Sequence, residues 1–235
     1  MLEIKQLSKQ IANSNILQNV DLEIKTGEFV AIFGPNGCGK TTLLNIVAGI
    51  DTEYSGEVNV NGKPPAAAKS GFVFQNFHES LFPWLTVQQN IELNATSENG
   101  EKWIQKLNLE PLKDRYPYQL SGGQKQLACI ARAYAFEPDI LLFDEPFSAL
   151  DYSITLKMQE QVQKLWMETG KTTLFVSHDP EEAIFLADRV IVMSPKPGEI
   201  KKEIKINLPR PRTAKTRLSK QFFSLRNKVI EAFTK

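Results

Sequence analysis

Residues 29–42 read Phe29-Val30-Ala31-Ile32-Phe33-Gly34-Pro35-Asn36-Gly37-Cys38-Gly39-Lys40-Thr41-Thr42, and this stretch decides the fold. Its first five residues are an unbroken apolar run, which suits a central strand covered on both faces. The next eight, Gly34 to Thr41, fit the phosphate-loop pattern G-x-x-x-x-G-K-[ST]. Such a loop turns backbone N–H groups toward an anion at a helix N-terminus, where the dipole also favours negative charge. Gly34, Gly37 and Gly39 let the backbone curl closely, and Pro35, Asn36 and Cys38 complete the loop. Lys40 is placed to reach the β- and γ-phosphates, and the Thr41 hydroxyl to ligate Mg2+. Thr42 opens a helical reading that runs to Ala48 and stops at Gly49.

On the N-terminal side, Leu2-Glu3-Ile4-Lys5 and Val20-Asp21-Leu22-Glu23-Ile24 alternate apolar and polar residues. That period predicts half-exposed antiparallel strands, with turns at Asn13-Ser14-Asn15 and Thr26-Gly27. Further short strands are predicted at Gly56–Gly62 and Gly71–Phe74. From Asn76 to about Arg132 the pattern becomes mostly helical. Thr86-Val87-Gln88-Gln89 and Ser121-Gly122-Gly123-Gln124 both have the capping-box spacing of helix starts. Strand–helix alternation then resumes: a strand at 140–143, a helix at 151–168, a strand at 173–176, a helix at 180–187 and a strand at 189–193.

Two further stretches carry chemistry. The run Ile140-Leu141-Leu142-Phe143 ends in Asp144-Glu145. On a strand beside the phosphate loop, Asp144 can hold Mg2+, and Glu145 can orient or deprotonate an attacking water. Ser121, Gly122, Gly123 and Gln124 form a second helix start whose small residues leave N–H groups and a hydroxyl open to phosphate.

Hydrophobic content of 42% and charged content of 23% are ordinary for a soluble globular domain. No apolar stretch approaches the ~20 residues of a membrane-spanning helix, and the N-terminus lacks the basic start and apolar core of a secretory signal. Cys38 and Cys129 form no C-x-x-C pair, which suits a reducing cytosol. Residues 196–235 hold 12 Lys/Arg against 3 Asp/Glu. No aromatic-interleaved RNA-binding signature accompanies this basic tail, so nucleic acid is not an expected partner; a solvated helix and strand edge is the simpler reading.

The order of phosphate loop, Gln75, Leu120-Ser121-Gly122-Gly123-Gln124, Asp144-Glu145, Ser148-Ala149-Leu150-Asp151 and His178 resembles the ABC ATPase family across nearly the whole chain. The resemblance implies an α/β fold with a P-loop NTPase (RecA-like) core, an antiparallel β subdomain and an inserted helical subdomain. Residues 1–75 and 133–235 would form the nucleotide-binding core, and 76–132 the helical subdomain. It also implies a head-to-tail dimer in which ATP lies between the phosphate loop of one copy and Ser121–Gln124 of the other. By the same resemblance, Gln75 senses Mg2+ and the water, His178 contacts the γ-phosphate beside Glu145, and Ser148–Asp151 couples the two sites.

One branch is closer: the chain is similar to the ATPases of nitrate/sulfonate/taurine-type importers. The carriers are Leu81-Phe82-Pro83-Trp84-Leu85-Thr86-Val87 and Ser177–Ala183, with Asp188–Ser194 and Leu208-Pro209-Arg210-Pro211-Arg212. This implies an ATP-hydrolysing subunit on the cytoplasmic membrane face, serving a separate permease and, indirectly, an extracytoplasmic solute-binding protein. Phe82, Pro83 and Trp84 would receive the permease. Export or envelope signalling, and a soluble ABC protein without transport, stay open at this point. The chain departs from the family at Ile11, where an aromatic ring usually faces adenine, and at Leu127, where many relatives have Arg. Cys38 beside Lys40 is expected to be a reactive thiol, and His78, which matches no motif, a surface or subdomain histidine.

Overall fold

The structure is a computed structural model that describes residues 1–76 and 80–234, so His78 lies outside the described residues. The chain forms two compact units, Met1–Ala68 with Gln159–Lys235, and Lys69–Met158.

In the first unit, β1 (Leu2–Ile11), β2 (Ser14–Ile24) and β4 (Ser55–Val60) form an antiparallel sheet of order β2-β1-β4. The alternation seen in the sequence buries Leu2, Ile4 and Leu7 of β1 and Leu17, Val20, Leu22 and Ile24 of β2. Gln6 adopts a left-handed φ of 49° where the pairing slips, and the slip keeps Leu7 inward. Gly56 answers that bulge across the sheet, because a Cβ there would lie 2.5 Å from the Gln6 carbonyl.

The second sheet of this unit has β3 (Phe29–Phe33) flanked in parallel by β7 (Thr173–Ser177) and β8 (Arg189–Met193). Strand β9 (Ile200–Lys205) closes it antiparallel to β8. Every residue of β3 and β7 is buried, as the continuous apolar run of β3 predicts. Helix α1 (Lys40–Val47) leaves the phosphate loop and ends at Gly49, whose φ of 73° only glycine adopts cheaply. Helix α6 (Pro180–Leu186) packs on β3 and β7.

The basic tail is ordered. Helices α7 (Ala214–Arg217) and α8 (Lys220–Thr234) follow β9, and α8 buries Phe222, Leu225 and Val229 along one stripe while its lysines point outward. Arg212, between β9 and α7, is 1% exposed. Its guanidinium donates to the carbonyls of Ile184, Phe185 and Ala187 at the end of α6, and to those of Ile206 and Leu208. A cation there meets the negative end of the helix dipole. Burial pulls its pKa down to about 9, helped by the Arg210 charge and opposed by Asp188.

In the second unit, β5 (Ser70–Val73) pairs in parallel with β6 (Ile140–Asp144). Helices α2 (Val87–Glu92), α3 (Ser97–Lys106) and α4 (Gly122–Ala135) accompany them, with the start of α5 (Tyr152–Thr169). Both expected capping boxes form: Thr86 with Gln89, and Ser121 with Gln124. Within this unit α4 packs on β5. Gly71 makes that approach close, since a Cβ there would stand 2.6 Å from the Ala133 carbonyl. No helix among the described residues is long and apolar enough to cross a membrane.

Candidate nucleotide site

The phosphate loop leaves the C-terminal end of β3, the edge at which open parallel sheets bind ligands. Phe33 is in register with Ser177 on one side and Val192 on the other. The loop therefore starts between the end of β7, which carries His178, and the turn that follows β8. Gly37 (φ 79°) and Gly39 (φ 100°) give the curl expected from their spacing. The Lys40 ammonium folds back over the loop, donating to the carbonyls of Gly34 and Pro35 at 3.0 Å each. These bonds, with Cys38 N donating to Pro35 O at 3.4 Å, close the curl of the loop. Asn36 and Gly37 are exposed there, Thr41 is exposed on the first turn of α1, and Thr42 is half-buried.

Two features brace this loop from below. Gly39 lies against β2, so a Cβ would meet Leu17 Cδ2 at 2.6 Å and the Ile16 carbonyl at 3.1 Å. Gly198, in the turn between β8 and β9, donates to Ile16 O (2.8 Å) and accepts from Gln18 N (3.1 Å). A Cβ on Gly198 would lie 2.1 Å from the carbonyl of Cys38. Ser194 holds the turn, its hydroxyl donating to Pro197 O and accepting from Glu199 N, both at 2.8 Å. The Cys38 side chain is fully buried. This corrects the expectation of a reactive thiol, since a sulfur shut away from solvent is inaccessible to alkylating reagents whatever its charge.

His178 is exposed just past β7, and Asp179 caps α6 by accepting from Glu181 N at 2.7 Å. Behind the histidine, Ser177 donates its hydroxyl to Glu182 at 2.6 Å and accepts from Asp179 N at 3.0 Å. Gln159 donates to the other oxygen of Glu182 at 3.1 Å, and Arg217 donates to Gln159. Burial raises the Glu182 pKa to about 7; the Ser177 bond, His178 and Gln159 oppose the rise and the Asp179 charge adds to it. In sequence Glu182 reads only as an acidic residue in a helix first turn, and Gly198 only as part of a Pro-Gly turn. Their roles depend on partners far along the chain.

In the second unit Val73 is in register with Phe143. Gln75, two residues past Val73, and Asp144-Glu145, just past Phe143, therefore emerge from neighbouring strand ends. Gln75 is exposed, while Asp144 and Glu145 are buried. Glu145 takes a left-handed φ of 42°, an uncommon conformation for a residue with a side chain and one that re-aims it at the strand end. Ser148 N donates to Glu145 O at 3.2 Å, starting the turn through Ala149 and Leu150 to Asp151, whose carbonyl accepts from Ile154 and Thr155 at the start of α5. Ser148, Ala149 and Asp151 are exposed and Leu150 is half-buried. Ser121 is exposed as the N-cap of α4 with Gly122 half-buried, whereas Gly123 is tight, 3.0 Å from Ile154 Cγ2 if it carried a Cβ.

Phe82, Pro83 and Trp84 stand out from the same unit, with the Phe82 and Trp84 rings 5.3 Å apart. The segment is held by Asn90, which sequence reasoning missed. Its buried amide accepts from Phe82 N (2.8 Å) and donates to the carbonyls of Phe82, Leu85 and Thr86. Phe72, Phe74, Phe82, Leu93 and Phe136 line an adjoining groove of about 320 Å3.

A phosphate loop at the sheet's C-terminal edge, with a separate strand ending in Asp-Glu, defines a P-loop NTPase. Residues 17–148 match the ABC transporter family, and the chain belongs to it as an ABC ATPase. It is 40% identical to an aliphatic sulfonates import ATP-binding protein of Bacillus cereus, over 97% of this chain and 92% of the relative. It is 43% identical to an ABC transporter ATP-binding protein of Methanocaldococcus jannaschii, over 91% and 82% respectively. Among solved structures it is similar to the dimeric ATP-binding cassette MJ0796 in a post-hydrolysis state bound to ADP and Pi. That match has a TM-score of 0.76 and 35% identity, and covers 89% of this chain and all of the other.

Proposed function

We propose that this chain is the ATP-hydrolysing subunit of an importer for a small organic or inorganic anion, with sulfonates the first class to test. The observation that carries the reading is likeness to sulfonate import ATP-binding proteins over 97% of this chain and 92% of the relative. Two copies pair head to tail, with ATP between Gly34–Thr42 of one copy and Ser121–Gln124 of the other. Ser148–Asp151 couples the two sites. Thr41, Gln75 and Asp144 all present oxygen, the donor a hard divalent cation prefers, and would hold Mg2+, which draws charge from the phosphate oxygens. Glu145 orients and deprotonates the attacking water, and His178 supports the γ-phosphate. Ile11 lies on the adenine side.

The same reading gives Phe82, Pro83 and Trp84, with the groove beside Phe82, to a cytoplasmic segment of a separate permease. An exposed aromatic pair beside a groove, held by a buried asparagine, is the kind of surface that marks a protein contact. The subunit would then work at the cytoplasmic membrane face, with a solute-binding protein acting through the permease. The test is purification of the tagged chain from native membranes. A stoichiometric integral protein supports the reading, and a chain found only in soluble extract with no membrane partner overturns it.

A further inference from the structure

Just before Ser121 the structure carries a feature that none of these roles uses. Tyr116 is 38% and Tyr118 74% exposed, and their rings lie parallel, 5.8 Å apart with an interplanar angle of 8°. The turn that holds them is fixed. Gln119 accepts from Tyr116 N through its side chain at 2.8 Å and donates its own N–H to Tyr116 O at 2.9 Å, while Leu120 N donates to Pro117 O. With one face of Tyr118 on Tyr116, its high exposure leaves an aromatic face to solvent. An aromatic face left open to solvent on a hydrogen-bonded turn is a surface suited to stacking.

We propose that Tyr118 is a nucleobase-binding residue acting in trans, stacking on the adenine of the ATP held by the partner copy's phosphate loop. This rests on the head-to-tail dimer proposed above. Tyr118 stands three positions before Ser121, a reach of about 10 Å at most between their Cα atoms. A group that meets the phosphates at Ser121 thus has its base end within range of the Tyr118 ring. The other half of the base site is open in the complementary sense. Gly39 packs against Ile16 and Leu17 of β2, and the hairpin tip where Ile11 pairs with Ser14 lies two residues beyond Ile16, about 7 Å along the strand. Ile11 is half exposed there and offers methyl groups but no π-face. The base would lie between a flexible aliphatic side chain from one copy and a braced aromatic platform from the other. Base recognition then strengthens when the dimer closes.

Stacking of a base on an aromatic side chain is worth roughly 1–3 kcal/mol, about 5- to 150-fold in affinity. The experiment measures nucleotide-driven dimerisation by light scattering with the Glu145→Gln protein as parent, titrating ATP and UTP. Tyr118→Ala is expected to raise the ATP needed for half-maximal dimer by about tenfold and the UTP needed by clearly less, because a pyrimidine stacks more weakly. Tyr118→Phe and Tyr118→Trp are expected to stay near the parent, which separates ring stacking from damage to the cap. An unchanged ATP requirement in Tyr118→Ala, or equal shifts for both nucleotides, overturns the assignment while leaving the dimer standing. A parent that stays monomeric at saturating ATP refutes the dimer itself, and the assignment with it.

Discussion

Glu182 offers a prediction whose sign and size both come from the structure. Its carboxylate accepts from Ser177 and Gln159, yet burial outweighs these bonds and lifts its pKa from 4.5 to about 7. The groups that act on it are Ser177, Asp179 and His178 on the strand-to-helix connection and Gln159, to which Arg217 donates. Between about pH 4.5 and 7 the folded chain keeps a proton on Glu182 that the unfolded chain has released. Stability from this residue is therefore fully present at the acidic end of the window, falls as pH rises, and is flat above about pH 7. At about 1.4 kcal/mol per pKa unit, the step from 4.5 to about 7 amounts to roughly 3 kcal/mol. Glu182→Gln keeps the volume and stays neutral throughout. Urea unfolding at pH 5, 6, 7 and 8 should show the two proteins nearly equal at pH 5, with the variant ahead by about 2–3 kcal/mol at pH 8. Parallel stability curves across that range would refute the reasoning, because they would mean that Glu182 is ionised in the folded chain at no cost.

Glu145→Gln should bind ATP, hydrolyse it slower by about 10²-fold or more, and accumulate as a dimer in size-exclusion chromatography; near-normal turnover would take Glu145 out of the chemistry. Both cysteines are buried, so a thiol-titrating reagent should find none in the native protein and two after unfolding. Modification of native Cys38 with loss of ATP hydrolysis would show that the loop opens. Gly198→Ala puts a Cβ 2.1 Å from the Cys38 carbonyl, and overpacking of this kind costs about 1–3 kcal/mol. If that strain is relieved by displacing the loop, ATP affinity falls by about tenfold or more in a fluorescent-nucleotide titration, whereas unchanged affinity would mean that the turn moves instead.

What could be read from the sequence was what short stretches of backbone decide for themselves. The run 29–33 became a fully buried strand, Gly37 and Gly39 took the left-handed angles their loop needs, and Ser121–Gln124 closed the capping box its spacing announces. Each of these outcomes is set within a few residues. Asp144 and Glu145 were legible for the same reason, at the end of an apolar strand. The left-handed φ of Glu145 was not, because no local signal distinguishes it from the next carboxylate. Arg212 was read only as part of a basic Pro-Arg-Pro-Arg segment. Its burial follows from the end of α6 arriving beneath it with carbonyls left over from the helix's last turn, which is a matter of tertiary placement.

The phosphate loop shows how local and long-range causes divide the work. Glycine at 34, 37 and 39 makes the curl possible, but possibility does not hold a loop in one shape. Glycine is the residue that loses most conformational freedom on folding. That cost is offset from outside the motif, by β2 under Gly39, by the Gly198 turn under Cys38, and by Lys40 closing onto Gly34 and Pro35. The two braces come from positions 16–17 and 198, on either side of the motif in sequence and joined to each other by the Gly198–Ile16 and Gln18–Gly198 hydrogen bonds. With the loop backbone fixed in this way by the rest of the fold, the phosphate binding proposed for it would be opposed by little further ordering of the loop.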